Sequence, residues 1–247
     1  MDLISPPLAR CLFYHPYMLK KRFWKGAATV SLEMLFAMAV FTAGLSLLVF
    51  AIRPAVRRYK SVDLKILDEL KDHTSEGMNK FMLAVTFLGK HPFLIPANLL
   101  LIVFFLLIPK RRSWFSIRVA AIGLSSLAFT FALKYLFMRK RPEAPLLFEA
   151  EGYSFPSGHA VMSVTFYGLL IYIVTQTVAN KPLRWSINSL LVMLILLIAF
   201  SRVYLRVHYA SDVIVGLIVG LTWLLISLYV LKRIEEFNKH VPPLHAP

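Results

Sequence analysis

Residues 155–179 read FPSGHAVMSVTFYGLLIYIVTQTVA, and from Ala160 to Ala179 no side chain carries a formal charge. An uncharged apolar run of about 20 residues, helical at about 1.5 Å per residue, crosses the ~30 Å hydrocarbon core of a bilayer. That reading sets the fold class as all-α and membrane-spanning. The polar residues at its start then need a reason. Pro156 breaks what precedes, Ser157 suits a helix N-cap, and Gly158 lets backbone approach a ligand closely. A helix beginning here turns its first N–H groups toward the membrane edge, where they attract an anion. PSGH alone is no more than a helix start, but His159 adds a proton donor or acceptor to it.

The rest of the chain agrees with a bilayer. Its 247 residues are 58% hydrophobic and 17% charged, with a mean hydropathy of +0.65. That composition is too apolar for an ordinary soluble domain. The formal net charge of +15 fits loops that face anionic headgroups or anionic substrates, and nucleic acid is set aside as a partner. The single Cys11 excludes an intrachain disulfide, and Tyr17 stands where a Cys-x5-Arg phosphatase loop would need its arginine. No nucleophile elbow, Walker loop or Cys/His zinc pattern is present in the sequence.

Hydropathy predicts six spans, at 27–52, 93–108, 114–138, 160–179, 185–203 and 213–231. The second is the weakest, and is expected to begin earlier, in 81–88, with Lys90, His91 and Pro92 interrupting a tilted or broken helix. The first is too long for a secretory signal, follows a basic and aromatic segment over 1–26, and is read as retained. Between the first two spans, Leu64, Leu67 and Leu70 recur at helical spacing among charged residues. They suit either an interfacial helix or a solvated helix packed on the bundle. The expected organisation is a six-span helical bundle over 27–232, preceded by the 1–26 segment, with an interfacial helix between its first two spans and a short tail over 233–247.

Six spans put both termini on one side of the membrane and gather the polar residues near span ends on the other. Lys134 and Arg141 follow the third span, Ser157 and His159 open the fourth, Arg202 closes the fifth, and His208 and Asp212 open the sixth. The 43 positions from His159 to Arg202 make roughly 65 Å of helix, about two crossings. The chain leaves this face and returns to it.

Three cations, Lys134, Arg141 and Arg202, thus share a site whose expected carboxylate is Asp212 alone. Arginine forks and a lysine point charge suit a phosphoryl group, whose charge is spread over several oxygens. Arg139, Lys140 and Arg206 are read as snorkelling anchors at the membrane edge. His208 and Asp212 stand at i and i+4, which in a helix places the carboxylate beside the imidazole. Asp212 then holds one ring nitrogen, and the other faces the substrate as an attacking or proton-abstracting group. A metal is disfavoured, because three cations would repel it and further carboxylates are lacking. Transport is disfavoured as well, since the charges cluster at one face rather than at mid-membrane.

Taken together, Lys134-x6-Arg141-Pro142, Pro156-Ser157-Gly158-His159 and Ser201-Arg202-x5-His208-x3-Asp212 resemble the three-part signature of the type 2 phosphatidic acid phosphatase superfamily, in its integral-membrane lipid phosphatase branch. The resemblance implies that Lys134, Arg141 and Arg202 bind phosphate, with Ser157 and Gly158 adding hydrogen bonds. It implies that His208 attacks phosphorus to form a phosphohistidine, that Asp212 orients His208, and that His159 protonates the leaving group; Ser201 is read as packing. No cofactor is implied. The substrate implied is a membrane lipid phosphate or diphosphate, such as undecaprenyl diphosphate, phosphatidylglycerol phosphate or phosphatidic acid. A phosphotransferase or a lipid A phosphatase would carry the same residues. Lysines and arginines divide almost evenly between the two faces, with a slight tilt toward cytoplasmic termini once the phosphate ligands are set aside. The expected location is a bacterial inner membrane, with the site on its periplasmic or extracellular side.

Overall fold

The computed structural model describes residues 60–107, 113–143, 145–146 and 151–240, with Gly44 and Pro54 besides. The expected first span and the 1–26 segment lie outside the described residues. By packing, the chain divides into two units, Met1–Val49 with Tyr229–Pro247, and Phe50–Leu228. In the first unit the described residues are Gly44, which is helical, and the C-terminal end of one long helix. The second holds the site discussed below.

Among the described residues the structure is all-helical: α1 (Lys60–Asp72), α2 (Glu76–Phe87), α3 (His91–Leu107), α4 (Ser113–Phe137), α5 (Gly158–Thr177), α6 (Lys181–Tyr204) and α7 (Ala210–His240). Four stretches of the described residues are long and apolar enough to cross a membrane: Trp114–Phe137, Gly158–Thr177, Lys181–Tyr204 and Ala210–Asn238. The pair α2 and α3, bent by 41° at their junction, makes a fifth if taken as one broken span. The break falls where the sequence predicts it. Pro92 enters the first turn of α3, where its missing N–H costs nothing, and the Tyr167 hydroxyl of α5 donates to the Leu88 carbonyl at 2.9 Å. One backbone acceptor loosened by the bend is thereby satisfied inside the bundle.

The core beneath the site joins α2, α3, α5 and α6 through Val85, Leu94, Met162, Phe166, Ile195 and Ile198. A second cluster, Leu67, Ala160, Ala199, Val203, Tyr209 and Val213, ties α1 to α5, α6 and the start of α7. The face of α1 that carries Leu67 is therefore packed on the bundle. The N-terminal half of α7 lies against the start of α5 because Gly216 has no side chain: a Cβ there would stand 2.9 Å from Ala160 Cβ and 3.0 Å from the Ser157 carbonyl oxygen. Large apolar side chains on α3 and α6, such as Leu99, Leu100, Leu107 and Leu196, are exposed, as expected of faces solvated by lipid tails.

Candidate active site

Two left-handed residues aim the chain into the site. Met138 (φ 48°) follows α4, and Arg206 (φ 57°) follows α6. Side chains other than glycine enter this region at a cost of about 1–2 kcal/mol, and such strain gathers where the backbone must place functional groups. After Met138 the chain turns back to deliver Arg139 and Arg141. After Arg206 it delivers His208.

A cavity of ≈440 Å³ receives them. Lys134, Arg141, Gly158, His159, Arg202 and His208 all line it, so six of the eight residues selected from sequence share one chamber. Ser157 and Asp212 lie behind its wall, both fully buried. The N-terminus of α5 opens on the cavity through Gly158 and His159, which adds the positive end of a helix dipole to three cationic side chains. Lys90 and His91, at the α2–α3 break, line the opposite side; sequence reasoning had given them only a helix-breaking role. Gly89 beside them is required by close approach, since a Cβ would stand 2.7 Å from Ile198 Cγ2 and 3.1 Å from His159 Cδ2.

His208 is 1% exposed and precedes α7 in a turn. His208 and Asp212 do pair at i and i+4, but from the turn before α7 to its first turn and not within one helix. Asp212 occupies the first turn of α7 and reaches back to accept from the Tyr209 N–H at 3.1 Å, the backbone half of a capping box. The His208 Nδ1 to Asp212 Oδ2 distance is 3.7 Å. Ser154 joins the pair from the side, with its Oγ 3.3 Å from Nδ1 and its hydroxyl donating to Asp212 Oδ2. On the other side of the ring, Nε2 stands 3.2 Å from an Arg141 terminal nitrogen. A guanidinium has no acceptor, so Nε2 must accept and Nδ1 carries the proton. Burial is the first reason that the imidazole pKa is lowered to about 3; Arg202 and Arg141 push the same way, against Asp212. The ring is thus neutral near pH 7, with its Nε2 lone pair toward the cavity.

The cations are held from behind. Arg141 donates to the carbonyls of Gly152 (3.0 Å), Glu151 (2.9 Å) and Val207 (2.8 Å). Burial lowers its pKa and Asp212 opposes the shift. Lys134 Nζ donates to the Tyr153 carbonyl. Arg202 is 3% exposed and donates to Thr86 Oγ1 at 2.6 Å, while its Nε has no protein partner. Ser157 Oγ and His159 Nε2 are likewise buried without a partner. The expected side-chain cap from Ser157 is not made; its N–H donates to the Asp212 carbonyl at 3.1 Å. Three orphaned polar atoms around one cationic cavity suit a ligand rich in oxygen. Among the described residues no three His, Cys, Asp or Glu side chains are placed to hold a metal ion.

Residues 114–236 match the family model described as the PAP2 superfamily. The chain belongs to this superfamily. It is 28% identical over 167 residues to phosphatidylglycerophosphatase B of Bacillus subtilis, covering 66% of this chain and 79% of that protein. To the undecaprenyl-diphosphatase of Sulfolobus acidocaldarius it is 26% identical over 174 residues, covering 66% and 77%. Its fold is similar to the crystal structure of a transmembrane PAP2 type phosphatidylglycerolphosphate phosphatase from Bacillus subtilis, with a TM-score of 0.64 at 20% sequence identity over 88% of this chain and 98% of that one.

Around the PAP2 motif residues the structure adds three that sequence reasoning missed. Ser154 is one. Arg139 is the second, and its reading as a membrane-edge anchor is corrected: its side chain is 12% exposed and pairs with Asp212 at 2.5 Å and Asp63 at 2.8 Å. Asp63 is the third, so Asp212 is not the only carboxylate nearby. Of the other two expected anchors, Lys140 is exposed and Arg206 half-buried. Ser201 bonds the Ile198 carbonyl of its own helix at 2.7 Å.

Proposed function

We propose that this PAP2 chain is a membrane lipid phosphatase that removes phosphate from a lipid monophosphate or diphosphate through a phosphohistidine on His208. The observation that carries the reading is the His208 imidazole, whose Nε2 stands 3.2 Å from Arg141 in a cavity where Lys134, Arg141 and Arg202 converge. An incoming phosphoryl group takes the Arg141 N–H that Nε2 accepts in the free protein, and Lys134, Arg202 Nε and the α5 terminus bond its other oxygens.

Nε2 then attacks phosphorus, and the P–O bond to the lipid breaks as His159 gives the leaving oxygen a proton. Asp212, with Ser154, stabilises the positive charge that develops on His208. Water next attacks the phosphohistidine and yields its proton to His159. The P–N bond breaks, phosphate leaves, and both imidazoles are restored.

The names of the relatives favour phosphatidylglycerol phosphate and undecaprenyl diphosphate as substrates, with phosphatidic acid the simplest member of the same class. The proposed setting is a bundle of six spans over 27–232 with α1 at the interface, both termini cytoplasmic, and the site on the periplasmic or extracellular face of a bacterial inner membrane. Phosphate release from a panel of purified lipid phosphates in detergent tests the reading. Release into water from at least one of them is expected. Label passing instead to a second lipid would make the chain a transferase, and no turnover on any would overturn the proposal.

A further inference from the structure

Asp63 and Arg139 stand behind the site, and neither lines the cavity. Asp63 lies in the first turn of α1 and is 2% exposed. A carboxylate this far from water persists only when its oxygens are satisfied. Oδ1 accepts from the Ser211 N–H at 3.0 Å, and Oδ2 accepts from the Ser211 hydroxyl at 2.6 Å and from Arg139 at 2.8 Å. The other terminal nitrogen of Arg139 donates to Asp212 Oδ1 at 2.5 Å and to Ser211 Oγ at 2.8 Å. Its guanidinium carbon sits 4.1 Å from the Tyr209 ring centroid, which leaves the fork little room to turn.

One guanidinium is thus shared between two carboxylates. The trio keeps a net negative charge beside His208, opposite the cations of the cavity. Were Arg139 paired with Asp212 alone, that charge would be neutralised where His208 needs it. In a poorly screened interior the difference is large.

We propose that Asp63 is a positioning residue for the reaction: it holds Arg139 against Asp212 Oδ1, so that Oδ2 faces Ser154 and His208 with its negative charge still available. The proposal rests on the phosphohistidine reading of His208. Asp63 lies outside the segment 114–236 that matches the family, so a helix beyond the family motifs reaches into the site. Simple docking of α1 onto α7 would explain the Ser211 bonds, yet it would not require a shared arginine.

Asp63→Asn separates the two roles, because the amide keeps the size and an acceptor for the Ser211 N–H while removing the charge. Wild type, Asp63→Asn and Asp63→Glu in detergent would be compared in three measurements: single-turnover phosphoenzyme formation, affinity for inorganic phosphate from its inhibition, and the ¹⁵N spectrum of the His208 imidazole, assigned with His208→Ala. For Asp63→Asn the expected result is phosphoenzyme formation slowed about 10-fold or more, with the affinity for inorganic phosphate, a ground-state ligand, within about 2-fold of wild type. The Nδ1 resonance should move as the negative charge beyond Ser154 is neutralised, while Arg141 still holds Nε2 as the acceptor. Asp63→Glu should recover most of the rate. Should Asp63→Asn not fold, Arg139→Lys, which keeps the charge but loses the fork, should give the same signature. A wild-type rate with a wild-type imidazole spectrum would overturn the proposal, as would parallel loss of rate and of inorganic phosphate binding. If the wild type hydrolyses no lipid phosphate, the functional reading fails separately, and an unchanged imidazole spectrum in Asp63→Asn would overturn the positioning role by itself.

Discussion

His208 Nδ1 and Asp212 Oδ2 pair at 3.7 Å, and the Ser154 hydroxyl stands beside both, so the histidine is oriented by the carboxylate and a serine together. Ser154→Ala removes the hydroxyl and leaves Asp212 with His208, Arg139 and the Tyr209 N–H. A loss of about 10-fold to 100-fold in kcat is expected, with KM little changed, because Ser154 does not line the cavity. Steady-state kinetics on one lipid phosphate checks this; a change confined to KM would place Ser154 in substrate binding instead.

His208→Ala should abolish phosphoenzyme on every substrate. His159→Ala should behave differently, since a general acid matters most for a poor leaving group such as a lipid alcohol and least for an activated phenol. Its defect is expected to shrink on an aryl phosphate. Rapid-quench trapping of acid-labile label decides the assignment, and label that persists in His208→Ala but vanishes in His159→Ala would reverse the two roles.

Arg202→Lys keeps a charge but loses the fork that reaches Thr86 with one nitrogen and leaves Nε for the ligand. Turnover should fall by about 10²-fold or more. Near-normal turnover would show that a point charge suffices there.

The pKa of His208 lies at about 3 in the folded chain against an ordinary 6.5, with burial the first cause. Between those values the unfolded chain takes up a proton that the folded chain refuses. Its contribution to stability is therefore full above about pH 6.5 and is lost as pH falls toward 3. The thermal midpoint of wild type in detergent should drop over this window more steeply than that of His208→Ala. Equal slopes would mean that His208 titrates normally in the folded protein.

Three cationic side chains and a helix terminus supply the charge that metal ions give in other phosphatases. EDTA should leave activity within about 2-fold, and vanadate, a mimic of five-coordinate phosphorus, should inhibit. Strict Mg²⁺ dependence in a stripped preparation would contradict this.

Most of the spans and the motif residues were legible in the sequence because hydropathy and short spacing are local properties. The uncharged run after His159 became α5, and the break at Lys90 to Pro92 became the 41° bend. Lys134, Arg141, Arg202 and the two histidines could be gathered on one face because helix length across a bilayer is nearly constant. What surrounds them was decided in three dimensions. Arg139, seen along the chain, is one more basic residue after a span, and nothing local tells an anchor from a clamp. Its partners are 73 and 76 residues away, and only the packing of α1 against α6 and α7 brings them within reach. His208 and Asp212 kept their partnership but not within one helix, because α7 begins only at Ala210, and Ser154, 54 residues earlier, joins them from the side. Sequence spacing determined which groups meet at the membrane face; tertiary packing decided which of them touch, since a buried charge takes its geometry from whichever distant groups can satisfy it.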